Sequence, residues 1–191
     1  MGVGLHSKDL YITDIRWELH QPRVKQRKIS KEIVKDKKER KDIEEKPWQV
    51  TKDTILSITF VYKGVKYTRK EEIEKGWTYN YANIPWFAEP ITYDKHSPYM
   101  KIPSLAHDRV LDFRYRLWYE WDLDKIFEDD LSEFRKLTSL IFEYLCIDSG
   151  VPKGKAKLMA TSVDTFQKCM FKDWGRKKFK QYKKEQEVNN D

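Results

Sequence analysis

Cysteine is scarce in this chain of 191 residues, which contains only Cys146 and Cys169. Both fall at apolar positions of predicted helices, and no CxxC or Cys/His spacing typical of a metal site accompanies them. The sequence therefore predicts neither a zinc site nor a disulfide framework, and we expect a reduced cytosolic origin.

Long apolar runs are also missing. No segment reaches the roughly 20 apolar residues that a membrane-spanning helix requires, and there is no secretory h-region. A myristoylation signal is not predicted either, because His6 stands where that signal requires Ser or Thr. We therefore expect no membrane span.

Charge and aromatic side chains are abundant instead. Charged residues make up 36% of the chain, against about 25% in ordinary globular domains. Aromatic residues at 14% supply the large apolar groups that a core requires. The formal net charge of +7 favours anionic partners such as nucleic acid, although acids are interleaved with the bases. These values predict one domain with charged extensions.

The first 46 residues form the predicted N-terminal segment. Alternating apolar and polar residues at 10–17 predict a strand. From 21 to 46, opposite charges recur three or four residues apart, which is typical of a solvent-exposed helix laced with ion pairs. We favour a solvated helix there over an arm that docks on a neighbouring subunit or on nucleic acid.

Residues 47–172 form the predicted compact core. Strands are expected at 48–51 and 55–62, and Lys63-Gly64 turns the chain into a third strand at 65–69. The segment 118–130 is expected to be a connection with a helical turn.

Helices dominate the second half of this core. Ser104 and Ser132 are the expected caps of two helices, and a last amphipathic helix follows Gly150. We therefore predict an α+β fold, with a small antiparallel sheet from the first half covered by about three helices from the second.

A basic tail at 173–191 completes the chain. Its cations are interleaved with aromatic residues, a composition that can hold phosphates and stack on bases, although a solvated helix end is the simpler interpretation. The candidate contacts to nucleic acid or a partner are Arg176, Lys177, Lys178, Lys180, Lys183 and Lys184.

A polar turn and a His-Asp pair form the most distinctive pattern. The turn runs from Gly76 to Pro85, and His107-Asp108 follows on a predicted helix. Residues 50–172 resemble an uncharacterised family of small proteins encoded by tailed bacteriophages and prophages. Its pattern is G-F-x-T-D-F-A-S-x-P, then H-D-x-x-Y, then A-D-x-x-F and G-V-P.

The chain departs from that pattern at several polar positions. The Asp and Ser of the first motif are Asn80 and Asn83 here, and the Asp of the later helix falls at Ser139. The Tyr after the His-Asp pair is replaced by Leu111. Polarity is kept at the turn, but the carboxylates that hydrolysis would use are lost.

The resemblance implies a phage setting. With the carboxylates lost, we expect a non-enzymatic structural or assembly protein, located in the virion or the host cytoplasm. Other virion proteins are the expected partners, with a symmetric oligomer and nucleic acid as further candidates, and no cofactor is expected. A host-directed accessory protein is another alternative.

A metal-dependent hydrolase is the main enzymatic alternative. His107 and Asp108 are similar to the pair in secreted-type phospholipases, where His is the general base and Asp binds calcium. The residue that orients the His would have to be Ser139, and the calcium loop would have to come from Asn80 to Asn83.

A structural role accounts for the same residues without catalysis. Asp108 would favour the first turn of its helix through the helix dipole. His107 would donate to a backbone carbonyl or to the Asn80/Asn83 turn, and would fasten the helix to the loop. We favour this interpretation of the polar cluster.

Overall fold

The computed structural model describes residues 6–30, 36–80, 98–111, 116–168 and 184. In these ranges, two three-stranded antiparallel sheets come from the N-terminal half, and most helices come from the C-terminal half. The predicted α+β class is confirmed. The first half forms two sheets where one was predicted, and there are more helices than the expected three.

The larger sheet consists of β1 (Leu10–Glu18), β4 (Thr54–Tyr62) and β5 (Val65–Ile73), with β4 in the centre. Lys63 and Gly64 join β4 to β5 with φ values of 48° and 82°. Positive φ at both positions is the signature of a two-residue hairpin turn. The predicted hairpin is confirmed, and β5 continues four residues further than its predicted end at residue 69.

The smaller sheet consists of β2 (Val24–Gln26), β3 (Trp48–Val50) and β6 (Thr78–Tyr79), in the order β2-β3-β6. The helix predicted over 21–46 is wrong at residues 24–26, which form the strand β2. The backbone there pairs with β3, which overrides the helical charge spacing because a paired strand satisfies its N–H and C=O groups.

The described helix of the N-terminal segment is α1 (Lys37–Glu45), and Asp36 caps it by accepting from the N–H groups of Lys38 and Glu39. The segment 1–46 also contributes β1 to the larger sheet and β2 to the smaller one. Its described strands are therefore integrated with those of residues 47–172.

A 3-10 turn at Pro98–Met100 leads into α2 (Lys101–Leu111). The prediction that Ser104 caps this helix is wrong, because Ser104 is buried within it. Pro103 is tolerated two residues after the start, since the first N–H groups of a helix have no partner in the helix. Two short helices, α3 (Arg116–Glu120) and α4 (Leu123–Ile126), occupy the predicted connection.

The long helix α5 (Leu131–Asp148) buries an apolar stripe that includes Phe134, Leu137, Ile141 and Leu145. Asp130 is its cap, accepting from the Ser132 N–H at 2.8 Å, so the prediction that Ser132 caps the helix is wrong. Gly150 follows the helix with φ 95°, a conformation that glycine adopts without strain. Residues 153–168 then form α6.

Aromatic side chains join the larger sheet to the helices. The Phe127 ring lies 6.1 Å from Phe60 of β4 and 6.3 Å from Trp118 of α3. Trp118 in turn meets Phe134 of α5 edge-on at 5.9 Å. Within the described ranges, no helix combines the length and apolar character needed to cross a bilayer.

Candidate functional site

The His-Asp pair lies on α2, on the side that packs against α5. His107 is 4% exposed, and its Nδ1 lies 3.2 Å from Asp108 Oδ1. The edge of its ring meets Phe142 of α5, with 5.7 Å between the ring centroids and 71° between the planes. The imidazole is therefore enclosed by helix packing and held on one nitrogen by its neighbour.

The second nitrogen of His107 is also engaged. Gln167 of α6 places its Nε2 2.7 Å from His107 Nε2. If the Gln167 amide donates, Nε2 of the ring is the acceptor and Nδ1–H donates to Asp108. A neutral imidazole is then satisfied at both nitrogens, and α2 and α6 are joined through it.

Asp108 links α2 to the end of the smaller sheet. Its carboxylate accepts a backbone hydrogen bond from Asn80, the residue after β6, as well as the bond from His107. Burial raises the pKa of Asp108 above its ordinary value, although both hydrogen bonds oppose the shift. The negative charge that a calcium ligand needs is therefore disfavoured at this position.

The described part of the polar turn is fastened to α2 at two more points. The Tyr79 hydroxyl donates to the Lys101 carbonyl at 3.0 Å. The Arg109 guanidinium lies over the Trp77 ring, 5.5 Å from its centroid, and Trp77 stacks on Tyr79. The turn and the helix thus meet, but the predicted contacts are wrong. Asp108 lies late in α2 and not in its first turn, and Asp108, not His107, binds Asn80 of the turn. Asn83 and the rest of the motif from Tyr81 to Pro85 lie outside the described residues.

Ser139 is fully buried on α5. Its Oγ has no hydrogen-bond partner among the residues that the structure describes, and no hydrogen bond joins it to His107 there. The side chain that holds His107 Nε2 is Gln167 instead. Sequence reasoning missed Gln167, although it stands four residues after the buried Val163 and so belongs to the inner face of α6.

A buried carboxylate on β5 binds Arg109, the residue after the His-Asp pair. Glu71 is 4% exposed and accepts from Arg109 Nε at 2.5 Å and from Arg116 of α3. Arg109 also donates to the Glu72 carbonyl at 2.9 Å. Two guanidinium groups compensate one buried carboxylate, an arrangement typical of structural ion pairs. Sequence reasoning missed this cluster, since its members are far apart in the chain.

No group of three or more His, Cys, Asp or Glu side chains in the described ranges is arranged to hold a metal ion. Of the residues predicted as tail contacts, the structure describes Lys184, which is helical and exposed. Arg176, Lys177, Lys178, Lys180 and Lys183 lie outside the described residues.

Comparison with protein-family models, with curated proteins and with solved structures gives no match for this chain. The resemblance to the phage family therefore stays a prediction from the sequence. The site is interpreted from its own geometry.

Proposed function

We propose that this chain is a phage-encoded, non-enzymatic structural or assembly protein, whose charged segments contact neighbouring virion subunits or nucleic acid. The phage setting rests on the sequence resemblance around Gly76–Pro85 and His107-Asp108. The non-enzymatic part rests on the geometry at His107.

The observation that carries the proposal is the engagement of both imidazole nitrogens of His107. A general base needs a free nitrogen within about 2.6–3.2 Å of the proton that it removes. Asp108 lies at Nδ1, Gln167 lies at Nε2, and the ring is 4% exposed. The His107 side chain therefore suits a structural role, in which its hydrogen bond to Gln167 joins α2 to α6.

The chemistry of Asp108 supports the same role. Calcium takes about six to eight oxygen ligands, and the strongest are ionised carboxylates. Asp108 already accepts from His107 and from the Asn80 N–H, and burial raises its pKa above the ordinary value. In the hydrolase alternative, a cation would have to share this carboxylate with both hydrogen bonds.

The role of His107 is tested by replacing it with Ala. We expect His107→Ala to lower the free energy of unfolding by about 2–4 kcal/mol, since it removes the partner of the Gln167 amide and one hydrogen bond to Asp108, and opens a cavity beside Phe142. The measurement is urea unfolding, with His20→Ala as the matched control because His20 is exposed. That control should stay within about 0.5 kcal/mol of the parent.

An activity assay separates the two functions. Parent protein with calcium and a chromogenic ester should show no turnover above the His107→Ala variant. Calcium-dependent hydrolysis by the parent, lost in a His107→Ala protein that keeps its fold, would establish the enzyme and overturn the proposal.

The assembly role is tested on the purified full chain and on particles. Native mass spectrometry should give a homo-oligomer of defined size, because soluble assemblies are usually closed and symmetric. The protein should also sediment with phage particles from cells in which the phage replicates. A strict monomer that stays in the supernatant would contradict an assembly function.

A further inference from the structure

The two sheets differ in their charge. Segments 19–30, 46–53 and 74–80, which form and flank its three strands, carry seven basic and two acidic side chains. Segments 6–18 and 54–73, which form the larger sheet, carry six basic and five acidic ones. The small-sheet segments therefore carry a net charge of +5, against +1 for the large-sheet segments.

The strand register places two of these bases on one face. Val24 pairs with Val50, on the side that packs against the core, and Lys25 pairs with Gln49, which pairs with Thr78. Alternate residues of a strand point to opposite faces, so Arg23 and Lys25 share the side away from the core with Gln49 and Thr78. We call these four residues the basic face.

The cations of the basic face are not neutralised nearby. Arg23 and Lys25 are exposed, and no carboxylate in the described ranges lies within ion-pair distance of either. Arg27 of the same segment differs, because its guanidinium donates to Asp42 at 2.7 Å and to the Lys46 carbonyl at 3.2 Å. The basic face therefore presents positive charge that the described chain leaves uncompensated.

The neighbouring acids do not change this balance. Segments 19–30, 46–53 and 74–80 contain only Asp53 and Glu74, and the Asp53 carboxylate already accepts from the Lys75 N–H at 2.6 Å. On α1, by contrast, four bases and four acids occupy one short helix and pair within it, as Arg40 does with Glu44 at 2.7 Å. Residues 21–46 therefore combine a neutral helix with a basic strand segment.

We infer that the basic face binds the phosphate backbone of nucleic acid. The inference rests on the proposed function and names a partner for it. Arg23 can donate two parallel hydrogen bonds to one phosphate, and Lys25 stands about 6.6 Å further along the same strand, so each can hold its own phosphate. Gln49 and Thr78 add amide and hydroxyl groups of the kind that contact phosphate oxygens.

The basic face suits contact with the phosphate backbone of nucleic acid better than contact with its bases. It contains no aromatic side chain, and the nearby Trp77 ring already stacks on Tyr79, 5.6 Å away and 10° from parallel, and lies under Arg109. Binding should therefore be independent of base sequence and strongly dependent on salt. A bilayer is a poorer match, because interfacial binding relies on inserted apolar groups, which the basic face lacks.

The test measures the affinity of the full chain for a mixed-sequence DNA duplex at several salt concentrations. Replacing Arg23 and Lys25 by Gln should reduce the slope of log affinity against log salt by about two. At ~0.1 M salt the affinity should fall about ten- to hundredfold, because two phosphate contacts are lost. Lys8→Gln/Lys66→Gln removes two exposed cations from the large-sheet region and should leave the slope unchanged.

Three results would overturn the inference. One is a parent that does not bind duplex or single-stranded DNA or RNA at low salt. Another is an equal slope for the basic-face variant and its control. The third is binding to phosphatidylserine vesicles that Arg23→Gln/Lys25→Gln abolishes while DNA binding stays intact. If the protein assembles into particles but fails these tests, only this inference is wrong, and the proposed function stands.

Discussion

The two sheets use charge in different ways. In the larger sheet, Lys70 of β5 binds Glu18 of β1 at 2.7 Å, and the buried Glu71 binds two arginines of the helices. In the smaller sheet, Arg23 and Lys25 face away from the core without an ion pair in the described ranges. Among the described residues, these charges of the larger sheet are paired with one another or with helix α2 and α3 side chains, whereas the two cations of the smaller sheet are not.

Helix α2 connects the two regions. Arg109 binds Glu71 on the larger sheet, whereas Lys101 and Asp108 bind Tyr79 and Asn80 at the end of the smaller one. The His-Asp pair thus stands where the two sheets are held together. This position gives a structural reason for polar residues at 107 and 108.

The largest expected effect concerns the buried charge of the larger sheet. Glu71→Gln should lower the free energy of unfolding by about 3 kcal/mol, since it removes the buried carboxylate that Arg109 and Arg116 share. Urea unfolding measures this. Glu72→Gln is the matched control, because Glu72 is exposed, and it should change stability by less than about 0.5 kcal/mol. If both variants lower the free energy of unfolding equally, burial of the Glu71 ion pairs is unimportant for stability.

An intermediate effect on stability is expected from replacing Asp108, which joins α2 to the smaller sheet. In Asp108→Asn, the amide oxygen can still accept from His107 and Asn80, but the group no longer ionises. Since the folded-state pKa of Asp108 is raised, its contribution to stability is complete below the unfolded pKa of about 3.9 and is lost as pH rises through the folded value.

The stability of Asp108→Asn relative to the parent should therefore increase from pH 3 to pH 7. Urea unfolding across that range checks the sign. A variant that loses stability relative to the parent as pH rises would mean that the carboxylate is stabilised in the fold, as a metal ligand or catalytic group would be.

The smallest effect on stability is expected at the basic face. Arg23→Gln/Lys25→Gln should unfold within about 0.5 kcal/mol of the parent, because exposed side chains without ion pairs contribute little to the fold. Thermal unfolding without ligand measures this. A cost above about 1 kcal/mol would assign both cations to the fold and remove the contrast between the sheets.

Sequence patterns predicted the elements that depend on local order. The alternation in β1, the Lys63-Gly64 turn and the apolar stripe of α5 are each readable within one segment. The strand β2 was missed because three residues in a charged segment carry almost no periodic signal, and its pairing with β3 is decided by a partner more than twenty residues away.

The candidate site shows the same division. His107 and Asp108 were recognised because they are adjacent, but the contact between the turn and α2 was assigned to His107, whereas Asp108 makes it. Gln167 and Glu71 were missed because each meets its partner across more than thirty residues, where only the fold brings them together. Long-range polar pairing of this kind leaves no spacing in the sequence.

The contrast in charge between the two sheets is tested most directly by the change in unfolding temperature that a short DNA duplex produces at low salt. A ligand that binds only the folded state raises the unfolding temperature in proportion to its occupancy. The duplex should stabilise the parent and Lys8→Gln/Lys66→Gln alike, and should have little effect on Arg23→Gln/Lys25→Gln. Equal shifts in all three proteins would contradict the assignment of free charge to the smaller sheet.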